Sequence, residues 1–503
     1  MRRHNSNSSG SSTGRLRHLG HGWRLLTVAA VFAVALALIG QTSASAQTRD
    51  LTGPPSGSQA GEVVPGRFAV KLDAVADRAA TVQSISASGF EVVREFETLG
   101  WIVVTDRHRE ATSSLAQAEF ALAGSPGVVT VEPIFTYELT GSVDLSTGEL
   151  TSVAAESSND PLIWLQWGHF SVNATDAWAI TEGAGVVVAV VDSGVDFAHE
   201  DLVGNLLPGF DVIDNDADPT DTSGHGTHVA GTIAALRNNG LGGSGIAPSA
   251  QILPVRACDN VVCTSETIVA GIEWAANNGA DVINLSLRGT VDDPFMEAAT
   301  ALAIANDVVV VAATGNDFSD GTLTYPAAYP GVIGVGALTP GGGVASFSNT
   351  GTHVDVVAPG QSIWSAAPPA LFGGANYRQI HGTSMATPHI AAIAALLRAD
   401  NPGFTQSQIS DRILNTAIEI GPPGVDTSSG KGRVDAYRAL TNGNNPDSDY
   451  FEIEIDHTFY GDIAVDVQLL GGPQRTLLAP TPPTIFNSDD DMFDSGTRCP
   501  TRA

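Results

Sequence analysis

The chain has 503 residues, more than one typical hydrophobic core accommodates, so two or three domains are expected. Hydrophobic residues make up 43% of it, which favours packed globular domains and excludes wholesale disorder. The formal net charge of −30 argues against nucleic-acid binding, because such binding needs lysine and arginine side chains facing the phosphates. Three cysteines imply neither a metal cluster nor a rich disulfide framework, although Cys258 and Cys263 are near enough to bridge one small loop.

The N-terminal segment has the three parts of a secretory signal. Residues 1–24 contain five arginines and no acidic residue, 25–39 form a continuous apolar run, and Ala44-Ser45-Ala46 supplies small residues for cleavage. The apolar run is short for a membrane span, but a retained membrane anchor stays an alternative at this point. Arg2-Arg3 matches a twin-arginine signal only weakly. We therefore predict a signal peptide over 1–46 and a secreted protein with no membrane attachment after its removal.

The segment that follows alternates strands and helices. A Gly-, Pro- and Ser-rich linker over 47–62 precedes it. Strand patterns at 67–72, 90–96, 101–105 and 128–131 and helical patterns at 74–88 and 113–123 occur in the order βαββαβ, which is the ferredoxin-like arrangement. We assign residues 63–140 to this small α+β domain and the polar stretch 141–158 to a processing linker.

From residue 159 to 440 the pattern changes to that of a parallel sheet. β-Branched runs without polar alternation, typical of strands buried on both faces, occupy 186–191, 282–287, 308–313 and 332–337. Helical segments occupy 229–236, 267–277, 295–305 and 384–398. Strands that alternate with helices predict a doubly wound, mostly parallel α/β domain whose site lies at the carboxyl ends of its strands.

Three polar residues of this region have the properties needed for nucleophilic catalysis. Asp192 directly follows the first buried strand, His225 opens a helix, and Ser384 begins an Ala-rich helix. A serine hydroxyl attacks a carbonyl only when a base removes its proton and a carboxylate orients that base. Taken singly, Asp192 could be a turn residue and Ser384 a helix cap. His225 and His228 could be core histidines or a weak metal pair.

A fourth residue decides between these alternatives. Asn316 follows a buried strand, where its amide can point at an oxygen that becomes anionic. The sequence has no His-Glu-x-x-His zinc motif, and residues 382–386 do not form the Gly-x-Ser-x-Gly motif of esterases. The chain order Asp, His, Ser also differs from that of chymotrypsin-like proteases and α/β-hydrolases.

These four motifs closely resemble those of the subtilisin-like serine proteases, over roughly 160–439. The resemblance implies a serine endopeptidase with Asp192, His225 and Ser384 as its triad and Asn316 as its oxyanion residue. It also implies that protein or peptide substrates bind extended between two strands, which here would comprise Ser286, Leu287, Arg288, Gly289, Val261 and Val262. The 63–140 segment resembles the family's inhibitory propeptide, an intramolecular chaperone that occupies the active site until it is cleaved.

Arg288 departs from the family pattern, which usually has glycine at this position. Its long side chain either extends into solvent or overhangs the specificity pocket and favours acidic side chains near the scissile bond. The resemblance further implies structural Ca2+. Asp160 resembles an aspartate at the start of thermitase-like members, and Asp201 with Asn238 matches the family's strong calcium site. A second site is suggested by Asp211, Asp214 and Asp216, for which a solvated acidic turn is an equal alternative.

Residues 441–503 begin with a polar linker and continue with a β-rich segment. Alternating residues over 450–467 resemble the opening of a proprotein-convertase-type P domain that is only partly present, and Cys499 has no obvious partner. Two rival functions stay open: a non-catalytic binding protein on the same scaffold, and a peptidyl transferase or ligase that uses the same residues.

Overall fold

The structure, a computed structural model, describes residues 60–107, 115–143, 158–443, 465–468 and 474–478, with side chains except at 142–143 and in the last two ranges. The predicted signal over 1–46 and most of the two linkers lie outside the described residues. The P-domain-like segment does too, apart from an antiparallel hairpin. Within the described residues, no helix is long and apolar enough to cross a membrane.

The N-terminal unit is an antiparallel sheet with strand order β2-β3-β1-β4 and two helices on one face. Its elements are β1 (Val63–Leu72), α1 (Arg78–Ala87), β2 (Phe90–Phe96), β3 (Trp101–Asp106), α2 (Leu115–Ala123) and β4 (Val128–Leu139). Alternate residues of β1, Phe68 and Val70, pack under the helices with Ile85 and Leu122. The six elements occur in the order that the sequence predicts.

The second unit is an α/β domain followed by a short hairpin. Its elements are β5 (Ser142–Val143), α3 (Trp167–Ser171), α4 (Ala174–Ala177), β6 (Val187–Asp192), β7 (Phe210–Asp211), α5 (His225–Ala234), β8 (Gln251–Arg256), β9 (Cys258–Asp259), β10 (Val262–Thr264), α6 (Ser265–Asn277), β11 (Val282–Leu285), β12 (Leu287–Arg288), α7 (Pro294–Ala305), β13 (Val309–Ala313), β14 (Ile333–Leu338), β15 (Val356–Pro359), β16 (Ile363–Ala366), β17 (Tyr377–His381), α8 (Thr383–Asp400), α9 (Gln406–Asn415), α10 (Ala436–Thr441), β18 (Val465–Gln468) and β19 (Gln474–Leu478).

The core of the α/β domain is a parallel sheet with strand order β15-β14-β13-β11-β6-β8-β7. Successive residues of β6 face opposite layers: Val188 and Val190 belong to the cluster that contains α5 and α8, and Ala189 and Val191 to the cluster that contains α6 and α7. Both faces of the strand are therefore buried, which explains its unbroken apolar run. The predicted doubly wound α/β fold is confirmed.

The first unit docks on the second through the free face of its antiparallel sheet. Phe96 and Trp101 place their rings 5.1 and 5.2 Å from that of Phe295 on α7. Arg67 pairs with the buried Glu266 of α6 at 2.6 Å. Burying each aromatic ring contributes about 1.5–3 kcal/mol, so this apolar contact is a strong part of the interface.

Strand β4 extends well past its predicted end at residue 131. Residues 128–135 pair with β1 in an irregular register, whereas 136–138 pair antiparallel with β10 and 138–139 with β12. The partners of the second half lie more than a hundred residues further along the chain. Local alternation in the sequence could not reveal this extension, because the stabilising hydrogen bonds come from the other unit.

Candidate active site

The aspartate and the histidine of the predicted triad lie side by side at the carboxyl end of β6. Asp192 ends the strand and is fully buried, and its two carboxylate oxygens lie 2.8 and 3.0 Å from Nδ1 of His225. This contact favours the tautomer in which Nδ1 donates, so Nε2 carries the lone pair that accepts a proton. Within the described residues Nε2 has no hydrogen-bond partner. His225 therefore has the orientation of a general base.

The N-terminus of α5 is held by Asp221, a buried carboxylate that the sequence analysis missed. It accepts hydrogen bonds from the N–H groups of Gly224 (2.8 Å) and Thr227 (2.9 Å) and from the Ser193 hydroxyl (2.8 Å). Burial raises the pKa of Asp221, while these hydrogen bonds favour its ionised form. In the sequence, Asp221 is only an acidic residue four positions before the start of the helix. Aspartate is equally common in ordinary turns, so this position alone does not predict its role.

The second histidine of the motif, His228, has a structural role. Its Nε2 lies 3.0 Å from the carbonyl oxygen of Ile363, to which it donates. Burial lowers the pKa of His228 to about 3, and the neighbouring His225 acts in the same direction. Because Nε2 faces a carbonyl oxygen, the two histidines do not form the metal pair that was an alternative from the sequence.

The predicted nucleophile lies at the N-terminus of helix α8, whose residues are buried as far as Arg398. The Ser384 hydroxyl donates to the carbonyl oxygen of Ser286 at 2.7 Å and accepts from the N–H of Thr140 at 3.0 Å. The Ser286 hydroxyl in turn donates to the Ser384 carbonyl at 2.8 Å. These two hydrogen bonds connect the start of the helix to the residue between β11 and β12. Helix-end N–H groups and the positive end of the helix dipole surround the hydroxyl.

A peptide carbonyl from the N-terminal unit occupies the position expected for an oxyanion. The N–H of Ser384 lies 3.4 Å from the carbonyl oxygen of Thr140. Asn316 accepts from the Thr383 N–H at 2.9 Å through Oδ1, which leaves Nδ2 to face the site. A Cβ on Gly382 would lie 2.2 Å from the Thr140 oxygen and 3.0 Å from Asn316 Nδ2, so only glycine leaves room for that carbonyl.

The chain continues through the site in an extended conformation. A Cβ on Gly141 would lie 3.3 Å from Nε2 of His225, so the residue after Thr140 lies against the imidazole. Beyond it, Ser142 and Val143 pair antiparallel with His381 and Ile380 of β17. The peptide bond between Thr140 and Gly141 thus lies between the predicted nucleophile and the predicted base.

The predicted substrate-binding residues lie on both sides of this extended segment. On one side, Leu287 pairs with Leu139 and Arg288 pairs with Glu138. The residue before this strand, Ser286, contacts Ser384, and the residue after it is Gly289. On the other side Val262 pairs with Glu138, and the Val261 carbonyl accepts from the Leu139 N–H at 3.0 Å. A disulfide joins Cys258 to Cys263 and closes the β9–β10 hairpin that supplies this second strand.

Tyr137 fills a pocket that the sequence analysis did not identify. Only 1% of this residue is exposed, and a Cβ on Gly289 would lie 2.5 Å from its Cε1. Burial raises the pKa of the Tyr137 hydroxyl well above its ordinary value, and the nearby carboxylate of Asp293 adds to the effect. The side chain is therefore a neutral aromatic anchor three residues before the Thr140 carbonyl.

Two of the predicted metal ligands, Asp160 and Asp201, are fully buried near one loop. Asp160 accepts from the N–H groups of Asn238 (2.8 Å) and Asn239 (3.0 Å). The side-chain amide of Asn239, not that of Asn238, contacts Asp201, at 2.7 Å. Asn238 instead accepts from the N–H of Asn159 at 3.2 Å. Searched over its described residues, the chain has no group of three or more Asp, Glu, His or Cys side chains that could hold a metal.

The acidic residues at the end of β7 and in the loop after it are already paired with a cation, Arg256, at the end of β8. The Arg256 guanidinium pairs with Asp211 and lies 2.9 Å from Asp214. Asp216 pairs with Asp211 through the backbone, and its carboxylate accepts from the N–H of Asp218 at 2.9 Å. The positive charge of Arg256 competes with a cation at this loop, so the geometry favours the acidic-turn alternative.

A serine whose backbone N–H faces a peptide carbonyl, with a buried aspartate–histidine pair nearby, is the arrangement of a serine protease. Residues 183–432 match the model of the subtilase family. Thermitase from Thermoactinomyces vulgaris is 44% identical over 284 residues, which cover 56% of this chain and 98% of thermitase. The halolysin-like extracellular serine protease Nep from Natrialba magadii is 33% identical over 377 residues, 73% of this chain and 65% of that protein.

A solved structure gives the same assignment. Fervidolysin from Fervidobacterium pennivorans, a keratinolytic enzyme related to subtilisin, superposes with a TM-score of 0.66 at 29% identity, covering 81% of this chain and 66% of that one. The chain belongs to the subtilase family and is a serine endopeptidase. The predicted resemblance to the subtilisin-like serine proteases and the predicted enzyme class are therefore confirmed.

Proposed function

We propose that this protein is a secreted endopeptidase made as a zymogen that cleaves its own Thr140–Gly141 bond. Residues 1–46 would be the signal, 63–140 the propeptide and 159–440 the catalytic domain. The observation that carries the proposal is the Thr140 carbonyl beside the Ser384 N–H, with Gly141 against His225. An extended segment held between β10 and β12 is the arrangement of a bound substrate.

The geometry supports a stepwise acyl transfer. The Ser384 hydroxyl first rotates from the Ser286 carbonyl toward Nε2 of His225, which takes its proton as Oγ bonds to the Thr140 carbonyl carbon. The Ser384 N–H and Asn316 Nδ2 stabilise the oxyanion. When the intermediate collapses, His225 returns the proton to the Gly141 nitrogen, which leaves. His225 then activates a water molecule that hydrolyses the acyl-enzyme.

The released 63–140 fragment would act as inhibitor and folding chaperone. Its Phe96 and Trp101 pack against Phe295, and its Tyr137 lies buried in the second unit. These contacts do not depend on the cleaved bond, so the fragment stays bound after the first turnover. A preformed apolar docking face also stabilises α6 and α7 while the catalytic domain folds.

The test is incubation of the purified proenzyme, followed by sequencing of the new N-terminus. We expect Gly141 as the first residue of the larger fragment. Ser384→Ala should fold but stay uncut, because removal of the nucleophile costs several orders of magnitude in rate. Ser410→Ala, which removes a helix-surface hydroxyl bonded only to the Gln406 carbonyl, is the matched control and should process normally. Normal processing of Ser384→Ala would refute the assignment.

We also propose a structural Ca2+ held by the carboxylates of Asp160 and Asp201, the second of which is oriented by a hydrogen bond from the Asn239 amide. Both carboxylates are fully buried, and no Lys or Arg of the described part of the chain pairs with them. Burial raises the pKa of Asp201 to about 7, and the charge of Asp160 adds to it. Oxygen ligands suit calcium, which would supply the missing positive charge and stabilise the loop.

Melting of the Ser384→Ala proenzyme in chelator and in millimolar calcium tests this site. Calcium should raise the Tm, because a ligand that binds only the native state stabilises it. Asp201→Asn should reduce the increment, whereas Asp411→Asn, at an exposed helix position, should not. An equal Tm with and without calcium would refute the calcium site.

Secretion is part of the same proposal. It is supported by the signal pattern over 1–46 and by the similarity to Nep, whose name describes it as extracellular. Expression of the full chain, with assay of the medium and of the cell fraction, tests it. Activity confined to the cells would contradict it.

A further inference from the structure

The catalytic chemistry leaves one cation in the substrate cleft unexplained. Arg288 lies on β12 directly opposite Glu138, two residues before the Thr140 carbonyl. Only 8% of Arg288 is exposed, which excludes the expected alternative of a side chain that extends into solvent. The side chain therefore lies in the region that a substrate occupies.

The stem of Arg288 is fixed by the loop that follows β13. A Cβ on Gly315 would lie 2.6 Å from Cδ of Arg288, so the stem lies directly against this glycine. The guanidinium Nη2 lies 2.5 Å from Oδ1 of Asp317. Asp317 is itself held by Asn349, which donates to its Oδ2 at 3.0 Å and accepts from its N–H at 2.8 Å. The catalytic domain thus fixes the aliphatic part of the Arg288 side chain and supplies one partner of its guanidinium.

The other partner of the guanidinium comes from the segment in the cleft. The Glu138 carboxylate pairs with Arg288 through the same Nη2, and only 15% of the Glu138 side chain is exposed. Burial and the charge of Asp317 raise the pKa of Glu138, and Arg288 opposes both effects. Asp317 therefore weakens the attraction for an incoming carboxylate without cancelling it.

We propose that Arg288 is a specificity-determining residue that selects substrates with an acidic side chain at the third residue before the scissile bond. Glu138 occupies the position of that substrate side chain. A lysine there would place a second cation beside the guanidinium, and a glutamine would keep the hydrogen bond without the charge. The inference rests on the proposed function, because it takes the 136–140 segment as a substrate.

The test compares peptide anilides with the acyl sequence Tyr-Xaa-Leu-Thr, where Xaa is Glu, Gln or Lys, on mature enzyme counted by active-site titration. We expect kcat/KM for the Glu peptide to exceed that for Gln roughly three- to tenfold, and that for Lys by more. The preference should shrink only in part in 1 M salt, because salt screens the charges before the peptide binds but screens the buried pair much less. Arg288→Gln should bring the Glu/Gln ratio near one, whereas Asp317→Asn should raise it.

The Glu/Gln ratio compares two peptides on the same variant, so a lower total activity of that variant does not alter it. If Arg288→Gln does not fold, the Asp317→Asn ratio and the salt dependence of the wild type decide the question. Equal kcat/KM for all three peptides in the wild type would overturn the inference and leave the endopeptidase intact. Failure to hydrolyse any peptide would overturn the proposed function, and this inference with it.

Discussion

Replacing Gly289 by alanine should make the protease discriminate against tyrosine at the fourth residue before the scissile bond. A Cβ at this position would lie 2.5, 2.7 and 3.0 Å from three ring carbons of Tyr137. The ring is 1% exposed and closely packed, so it cannot move aside without displacing its neighbours. Overpacking of this kind costs about 1–3 kcal/mol, which corresponds to a loss of roughly 5- to 150-fold in kcat/KM.

The assay compares the acyl sequences Tyr-Glu-Leu-Thr and Ala-Glu-Leu-Thr on the wild type and on Gly289→Ala. Only the tyrosine peptide should lose rate, since alanine leaves room for the new methyl group. Gly403→Ala is the matched control, because a Cβ there meets nothing within 4 Å. Equal losses on both peptides would mean general damage to the cleft. Unchanged cleavage of the tyrosine peptide would refute the view that substrates use the Tyr137 pocket.

Two further predictions follow from the described contacts. Asn316→Ala should lower kcat by about 10²–10³ with little change in KM, because the amide acts on the oxyanion and not on the bound peptide; steady-state kinetics of titrated enzyme checks this. The contribution of His169 to stability should fall as the pH drops from 6.5 toward 4. Burial lowers the pKa of His169 to about 4. Between pH 6.5 and 4 this histidine is therefore protonated in the unfolded chain but neutral in the native state, which favours unfolding. This difference lowers the free energy of unfolding by about 2 kcal/mol at pH 5. The measurement is the Tm of the Ser384→Ala proenzyme as a function of pH, which should depend less on pH when His169→Asn is added.

The sequence was sufficient for those parts of the fold that local patterns determine. Unbroken apolar runs predicted the parallel strands because their residues are buried on both faces, and helix starts predicted where His225 and Ser384 would lie. Strand ends and helix starts meet at one edge of a parallel sheet, so the Asp, His and Ser motifs were expected to converge. The structure brings Asp192 and His225 within 2.8 Å.

Features that depend on distant segments were beyond the sequence. Nothing local distinguishes the amide of Asn239, which contacts Asp201, from that of Asn238, which does not. Arg256 is separated by more than forty residues from the Asp211 that it neutralises. The path of residues 136–143 through the cleft could not be predicted either, because their strand partners belong to the other unit.

Strand β4 connects the strands of the first unit to the strands that border the cleft, so it relates the position of one to that of the other. Its first half is fixed in register with β1, where Val131 lies opposite Val70, and its second half places Leu139 opposite Leu287. The number of residues between the two halves determines which carbonyl reaches Ser384. In the proposed maturation the length of this connection therefore sets the cleaved bond, together with the contacts of Tyr137 and Glu138. Two residues inserted after Ile134 would move the cut to a different peptide bond of the same strand, even with every catalytic group unchanged.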